Sequence, residues 1–274
     1  MTVAERAAAF QELHARPQAF VIPNPWDVGT ARILAGLGFE ALATTSAGLA
    51  HSLGRRDGEG LVTRDETLRH AEAIVDATPL PVSADLQEGF GDDPDSVART
   101  IREAGAVGLV GGSIEDAMQR TDDPIYPLPQ AAERVAAAVE AARSLPFPFV
   151  LTARAENYLF GRQDLADTIA RLQAYEAAGA DVLYAPGLRD LEDIRAVCAA
   201  VSKPVNVLAV RGAPDFESLS AAGVRRISIG SGFSNAALAT FLRAAKEVRE
   251  HGTFQFLDQS ISSDDLGPFM IGRG

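Results

Sequence analysis

Apolar runs of five to ten residues recur about eight times along the chain, each followed by a longer stretch with helical spacing of apolar and charged positions. The runs are FVIPN (20–24), ALATTS (41–46), PVSADL (81–86), VGLVGGSIED (107–116), FVLTARAEN (149–157), DVLYAPG (181–187), PVNVLAV (204–210) and RRISIGS (225–231). Helices are predicted over 63–77, 94–106, 127–144, 164–180 and 235–252. Thr63 with Glu66, and Asp164, supply N-cap chemistry. Gly105, Gly179 and Gly223 close helices in a repeated AGA or AGV turn just ahead of the next strand. The apolar runs are apolar on both faces, as strands of a parallel sheet covered by helices must be. Eight such strand–helix units predict an α/β fold, a (β/α)8 TIM barrel, as one domain over residues 1–274. No G-x-G-x-x-G or Walker-type loop follows a strand, which argues against an open nucleotide-binding sheet. The first fifteen residues read as a helix closing the barrel bottom, and 254–270 as a tail with a short helix from about Ser262.

Composition narrows the partners. Apolar residues make up 47% of the chain, enough for a large core. The 25 basic and 37 acidic side chains leave a net charge of −12, which argues against nucleic acid or an anionic membrane as partner. No apolar stretch reaches the roughly 18 residues of a membrane span, and the start has no secretory apolar core, so a cytoplasmic location is expected. A single cysteine, Cys198, excludes an intrachain disulfide or a Cys-rich zinc site and reads as a buried bystander in IRAVCAAV.

Barrels of this kind carry their chemistry at the C-terminal ends of strands. Those ends hold Asn24, then Thr44 to Ser46 with Asp57 in the following loop, then Asp85, Gln87 and Glu88. Further round lie Glu115 and Asp116, Arg154 and Glu156, and Asn206. Asp57, Asp85, Glu88 and Glu115 are placed to face one mouth, where they would repel one another without a divalent cation. An oxygen-only donor set suits Mg2+, with Mn2+ as alternative, over Zn2+. Arg154 would grip a substrate carboxylate through its planar fork. Plainer readings compete: Asp57 and Asp116 also suit loops or caps, and Glu88 a solvated turn. Asp85 and Arg154 differ, because each ends or interrupts an apolar run where an unneeded charge is costly. His14 and His70 fall on predicted helices and read as solvated, while His51 has no supporting pattern.

The stretches NPWDVGTARIL (24–34), TTSAGLA (44–50), SADLQEGFG (83–91), GGSIEDA (111–117) and TARAEN (152–157) resemble landmarks of the isocitrate lyase/phosphoenolpyruvate mutase superfamily. YEAAGAD (175–181), KPVNVLA (203–209) and AAGVRRISIG (221–230) continue the match in order. The resemblance implies a last helix exchanged between paired subunits and a homo-oligomer, a dimer of dimers. It implies Mg2+ at Asp85 and Glu115, with Asp57 and Gln87 ordering its surroundings. Arg154 and the backbone of Ser46, Ala47 and Gly48 would then hold a small 2-oxo or 2-hydroxy carboxylate, with Asn206 as a weaker contact.

Three departures bear on the substrate. Gln87 stands where the family pattern has a second aspartate, with Glu88 one step on. Segment 117–129 has neither the cysteine nor the lysines of the (methyl)isocitrate lyase loop. The stretch VLYAPGL has no histidine of the kind used in phosphonate chemistry. Tyr184, Arg120 and Tyr126 are the candidate substitutes for the missing proton donor. The expectation is a Mg2+-dependent lyase that cleaves a C–C bond of an oxaloacetate-like acid, with Arg154, Asp57 and Glu88 at the reacting centre. Loop 117–129 would close over it. Phosphonopyruvate-type mutase or hydrolase chemistry and a non-catalytic metabolite-binding barrel are the alternatives.

Overall fold

Eight short strands wind side by side, all parallel, in the computed structural model, which describes residues 1–118 and 123–270. They are β1 (Phe20–Ile22), β2 (Leu42–Ala43), β3 (Val82–Asp85), β4 (Gly111–Glu115), β5 (Val150–Arg154), β6 (Val182–Tyr184), β7 (Val205–Leu208) and β8 (Arg226–Ser228). Their order, β1-β8-β7-β6-β5-β4-β3-β2, leaves one seam, which a hydrogen bond from the Ala43 N–H to the Pro23 carbonyl bridges at 3.0 Å. This is the expected (β/α)8 barrel.

Helix α1 (Val3–Ala15) precedes β1, α2 (Val28–Gly36) follows it, and α3 (Ser46–Ser52) and α4 (Arg64–Ala77) connect β2 to β3. The next five, α5 (Pro94–Ala106), α6 (Leu128–Arg143), α7 (Leu165–Ala177), α8 (Leu191–Ala200) and α9 (Phe216–Ala221), follow β3 to β7 in turn. After β8 come α10 (Gly232–His251), a 3-10 turn (Gln255–Gln259) and α11 (Ser263–Met270). Thr63 and Glu66 form the expected capping box, and Asp164 caps α7. Gly179 and Gly223 adopt φ of 100°, the left-handed exit that a tight helix–strand turn needs. The strands are shorter than the apolar runs, because several runs leave the sheet early to form the loops that carry polar groups.

One apolar layer lies between the sheet and its helices. A second fills the barrel bottom, where Ala7, Phe10 and Leu13 of α1 pack against Phe20, Ile22, Val150 and Val182. The plug needs a glycine opposite it: a Cβ on Gly111 would stand 2.7 Å from the Phe10 ring.

His14 departs from the solvated position expected of it. It is 8% exposed and wedged edge-on between Phe10 and Phe20. Its Nδ1–H donates to the Phe10 carbonyl at 2.7 Å, and its Nε2 accepts from Arg226 Nη1 at 3.3 Å, which assigns the neutral Nδ1–H tautomer. Helix α1 is a plug with no free outer face at this position, so helical spacing alone misplaces the imidazole. His70 is also part-buried, its Nε2 at 2.9 Å from the Trp26 carbonyl.

The chain end behaves differently from the barrel. Only Ser234 is buried along the 20 residues of α10. Helix α11 returns to α2, where Phe269 packs on Gly36, and Arg32 Nη1 donates to the Met270 carbonyl at 3.3 Å.

Burial and the charge of Arg226 push the His14 pKa down to about 3. The unfolded chain, with histidine near 6.5, binds that proton first as pH falls, so His14 removes stability from about pH 6.5 down to about 3. Each unit of that interval is worth about 1.4 kcal/mol. Denaturant titrations of the wild type and His14→Gln at pH 7.5 and 5 should therefore differ: the wild type is expected to lose about 2 kcal/mol more than the variant. Equal losses would show that His14 is not the buried neutral group described.

Candidate active site

The strands end together at a cavity of about 220 Å3 whose lining includes Ser46, Ala47, Asp57, Asp85, Arg154, Tyr184 and Asn206. Asp85 is the last residue of β3 and Arg154 the last of β5, while Glu115 ends β4 directly opposite Arg154 in the ladder. The register sets Glu115 beside Arg154 and Asp85 beside Ser113, two residues earlier on β4, so it is the reach of the Arg154 side chain that joins all three.

Arg154 is the hub of the site. Its Nη1 meets Asp85 at 3.2 Å, Nη2 meets Glu115 at 3.1 Å and Nε meets Glu156 at 2.8 Å. Its guanidinium also lies 5.1 Å from the centre of the Tyr184 ring. Asp85 takes two further hydrogen bonds, from the Ser46 N–H at 3.3 Å and the Gln87 N–H at 3.2 Å. Its own N–H donates to Thr44 Oγ1 at 3.0 Å, which ties β3 to the end of β2.

Negative charge is in excess here. Burial raises the Glu115 carboxyl well above the ordinary range, with Arg154 opposing the shift and the neighbouring acids adding to it. Burial also raises Glu156. Asp57 stands at the rim with one side open to water, and the surrounding protein together with the charge of Asp85 pushes its pKa up. Three carboxylates thus lean on one guanidinium, and a fourth stands close by. Tyr184 is buried and pushed up to about 12, so its hydroxyl keeps its proton at neutral pH.

Not every expected residue reaches the cavity. Gln87 has φ of 51°, a left-handed conformation that ends the strand alternation just after Asp85. Leu86 then points into the core, and Gln87 and Glu88 line a separate depression with Val62, Arg64 and Phe90. Arg134 holds this turn by donating to the backbone carbonyls of Glu88, Gly91 and Asp92. Placing Gln87 and Glu88 at the mouth extrapolates a strand that has already turned. Gly48 lies inside α3, where its N–H donates to Thr45 Oγ1 at 3.3 Å. Asp116 points away from the mouth and is structural: it accepts from Tyr175 Oη, from Arg171 Nη1 at 3.0 Å and from the Glu156 N–H at 2.7 Å.

Of the candidate proton donors, Tyr184 lines the cavity, while Tyr126 donates to Asp92 at 2.9 Å beneath Arg134. Arg120 and the central part of loop 117–129 lie outside the described residues. Burial pushes the Cys198 thiol up to about 11, in keeping with a bystander. Sequence reasoning missed Glu156 as a partner of Arg154, and it missed Arg226, which also lines the cavity. The signal for Arg226 was present: in RRISIGS, Arg226 and Ser228 occupy alternate positions and so share the inward face of β8.

The donor set fits a hard divalent cation in one particular way. Among the described residues, no group of three or more His, Cys, Asp or Glu forms a ready-made cage. Mg2+ does not need one, since it keeps several waters and takes one or two carboxylates. All-oxygen donors with surplus negative charge meet that requirement.

Comparison with known proteins agrees with this architecture. The sequence profile of the phosphoenolpyruvate phosphomutase family matches residues 10–249. A solved chain from Burkholderia cenocepacia, provisionally assigned as a lyase or mutase, superposes with a TM-score of 0.95 at 56% identity, over 98% of this chain and 97% of that one. A Mycobacterium tuberculosis protein of uncharacterised function is 33% identical over 246 residues, 88% of this chain and 89% of its own length. The oxaloacetate decarboxylase of Chromohalobacter salexigens is 28% identical over 251 residues, 88% of this chain and 84% of that enzyme. The chain belongs to the phosphoenolpyruvate mutase/isocitrate lyase superfamily and is an enzyme of its carbon–carbon lyase type.

Proposed function

We propose that this enzyme cleaves a C–C bond of a small 2-oxo or 2-hydroxy carboxylate of the oxaloacetate kind, with Mg2+ or Mn2+ as cofactor. The observation that carries the reading is the acid-rich mouth, where Asp85, Glu115 and Glu156 all meet the guanidinium of Arg154 and Asp57 stands at the rim. Asp85 and Glu115 would hold the cation, with Asp57 acting on its waters. Bound there, Mg2+ supplies positive charge next to the substrate oxygen on which electrons collect as the bond breaks.

The chain's own groups do the rest. For a 2-oxo acid of the oxaloacetate kind, the C3–C4 bond would break, its electron pair passing into an enolate over C3, C2 and the C2 oxygen. The C4 carboxylate would leave as CO2, and a proton returned to C3 would complete the reaction. Arg154 keeps its Nε on Glu156 and turns Nη1 and Nη2 from the two metal-site carboxylates to the substrate carboxylate, a two-point grip suited to a planar fork. Ser46 and Ala47, at the start of α3, flank the same carboxylate. Tyr184 Oη, protonated at neutral pH and lining the cavity, is the group placed to return the proton.

A homo-oligomer belongs to the same reading. What supports it is α10 and the tail, where Leu238, Phe241, Leu242, Phe254, Leu257 and Ile261 are all exposed large apolar side chains that a partner chain would cover. Exchange of α10 between two copies would cover it, and a cytoplasmic dimer of dimers is the assembly expected.

NMR-monitored turnover of pooled keto acids, hydroxy acids and phosphonates, with Mg2+ or with EDTA, tests the reaction. Loss of one C–C-linked acid only with Mg2+ is the expected result, and conversion of a phosphonate instead would move the enzyme to mutase or hydrolase chemistry. Asp85→Ala should lower the Mg2+-dependent rate by at least about a hundredfold while the circular dichroism spectrum stays unchanged. Full activity in that variant would sink the metal-site assignment. Sedimentation velocity tests the assembly: the wild type should run as an oligomer and Phe241→Glu as a smaller species, whereas a monomeric wild type would refute helix exchange.

A further inference from the structure

Arg226 is a buried cation inside the barrel whose hydrogen-bond partners are all neutral. It opens β8, is 5% exposed and lines the same cavity as Arg154 and Asp85. Its Nε donates to Asn206 Oδ1 at 2.8 Å, Nη2 to Thr152 Oγ1 at 2.9 Å and Nη1 to the neutral His14 ring at 3.3 Å. Among the described residues, no carboxylate lies within ion-pair distance of it, whereas Arg154 touches three. A guanidinium has five N–H groups, so protein partners account for three of them.

Taking a charge out of water without a counter-charge is unfavourable by several kcal/mol, and proteins rarely leave such a charge unpaired. If this position served only to tie β5, β7 and α1 together, an uncharged donor such as glutamine would do so without that penalty. The surroundings also differ from an ordinary barrel interior, where bulky branched residues stack in layers. Here Ser83, Ser113, Asn206 and Ser228 share the lining of the cavity with Arg226, among apolar residues such as Ile22, Ala43 and Leu208, so the guanidinium borders a well of mixed character. Asn206 Nδ2 donates to Ser228 Oγ at 3.0 Å, which fixes the amide so that its oxygen faces Arg226.

We infer that Arg226 receives a second carboxylate of the substrate, so that the enzyme takes a dicarboxylic acid with one end at Arg154 and the other in the well. This deepens the lyase reading and rests on it for the identity of the first carboxylate. Arg226 is a specificity-determining residue in this scheme. It supplies the missing counter-charge relation only when a dianion is bound, and a monocarboxylate leaves it unpaired. The two arginines repel across the cavity in the empty state, and an anion seated between them removes that repulsion.

Two hydroxy acids that differ only in the second carboxylate, malate and lactate, make the test by isothermal titration with Mg2+ present. The wild type should bind malate at least about tenfold more tightly than lactate, the range of one charge-assisted fork. Arg226→Met should bring malate affinity down to that of lactate and leave lactate affinity unchanged. Arg226→Lys, which keeps the charge and loses the fork, should retain part of the preference. A residue that only held the barrel together would weaken both acids equally, and that result overturns the inference. Equal binding of malate and lactate by the wild type overturns it as well, whatever the variants do, and so does binding of inorganic phosphate alone that depends on Arg226 while the two acids bind alike. Should Arg226→Met not fold, Arg226→Lys decides, with an unchanged malate preference counting against the inference. Cleavage of any keto acid is read separately, so a preference that depends on Arg226 without turnover would refute the lyase reading and leave this one standing.

Discussion

The mouth of the barrel is organised around one guanidinium that must serve more acids than it can neutralise. Arg154 spends each of its three nitrogens on a different carboxylate, and those carboxylates end or follow three neighbouring strand positions. Without it, Asp85, Glu115 and Glu156 would face one another in a low-dielectric pocket, a far less favourable arrangement than any of the local hydrogen bonds could offset. The same contacts tie the ends of β3, β4 and β5 to one side chain, so the electrostatic requirement and the geometry of the site are one constraint. Among the described residues Arg154 pairs with three of the four acids, and burial, reinforced by the neighbouring carboxylates, raises the pKa values of Glu115, Glu156 and Asp57.

How far the sequence discloses this depends on where each residue sits relative to the strand. Asp85, Glu115 and Arg154 are legible because they lie within strands, where alternation tells inward from outward and burial makes an idle charge expensive. Asp57 and Ser46 follow from the barrel rule that loops after strands line the mouth. Gln87 and Glu88 line a separate depression, with Glu88 still acting on the Glu115 carboxyl, because of a left-handed turn at Gln87 that is invisible in a pattern of apolar and polar letters. Asp116 differs in kind. Alternation does send it outward from Glu115, but only the structure reveals Tyr175 and Arg171 waiting there to satisfy it. His14 shows the opposite difficulty, since a helix that plugs a barrel has no solvent face for its polar residues to occupy.

The interior of the barrel follows from that plug. With α1 supplying Phe10 and Leu13 from below, the lower third is sealed by aromatic and aliphatic packing. The strands are then free to carry small polar residues above it, and they do: Ser83, Ser113, Asn206 and Ser228 occupy places where branched aliphatic side chains would otherwise interlock. Stability forgone in the upper barrel is recovered in the layer between sheet and helices, which holds most of the buried apolar residues. The polar residues of the well are thus a consequence of dividing the labour of packing between two layers.

This division also settles how an anion can enter an acidic protein. The chain carries a net charge of −12, and the rim of the cavity is itself acidic, so the long-range field opposes the approach of a carboxylate. Positive charge on the surface would be screened within about 10 Å at ordinary ionic strength. Arg226 and Arg154 are instead placed where water is scarce and screening is weak, so each acts strongly on whatever shares the cavity and hardly at all outside it. A substrate held this way is selected at short range, by the spacing of its charges, rather than gathered from a distance. In the proposed reading, the acids of such a site would serve a cation and its arginines the substrate.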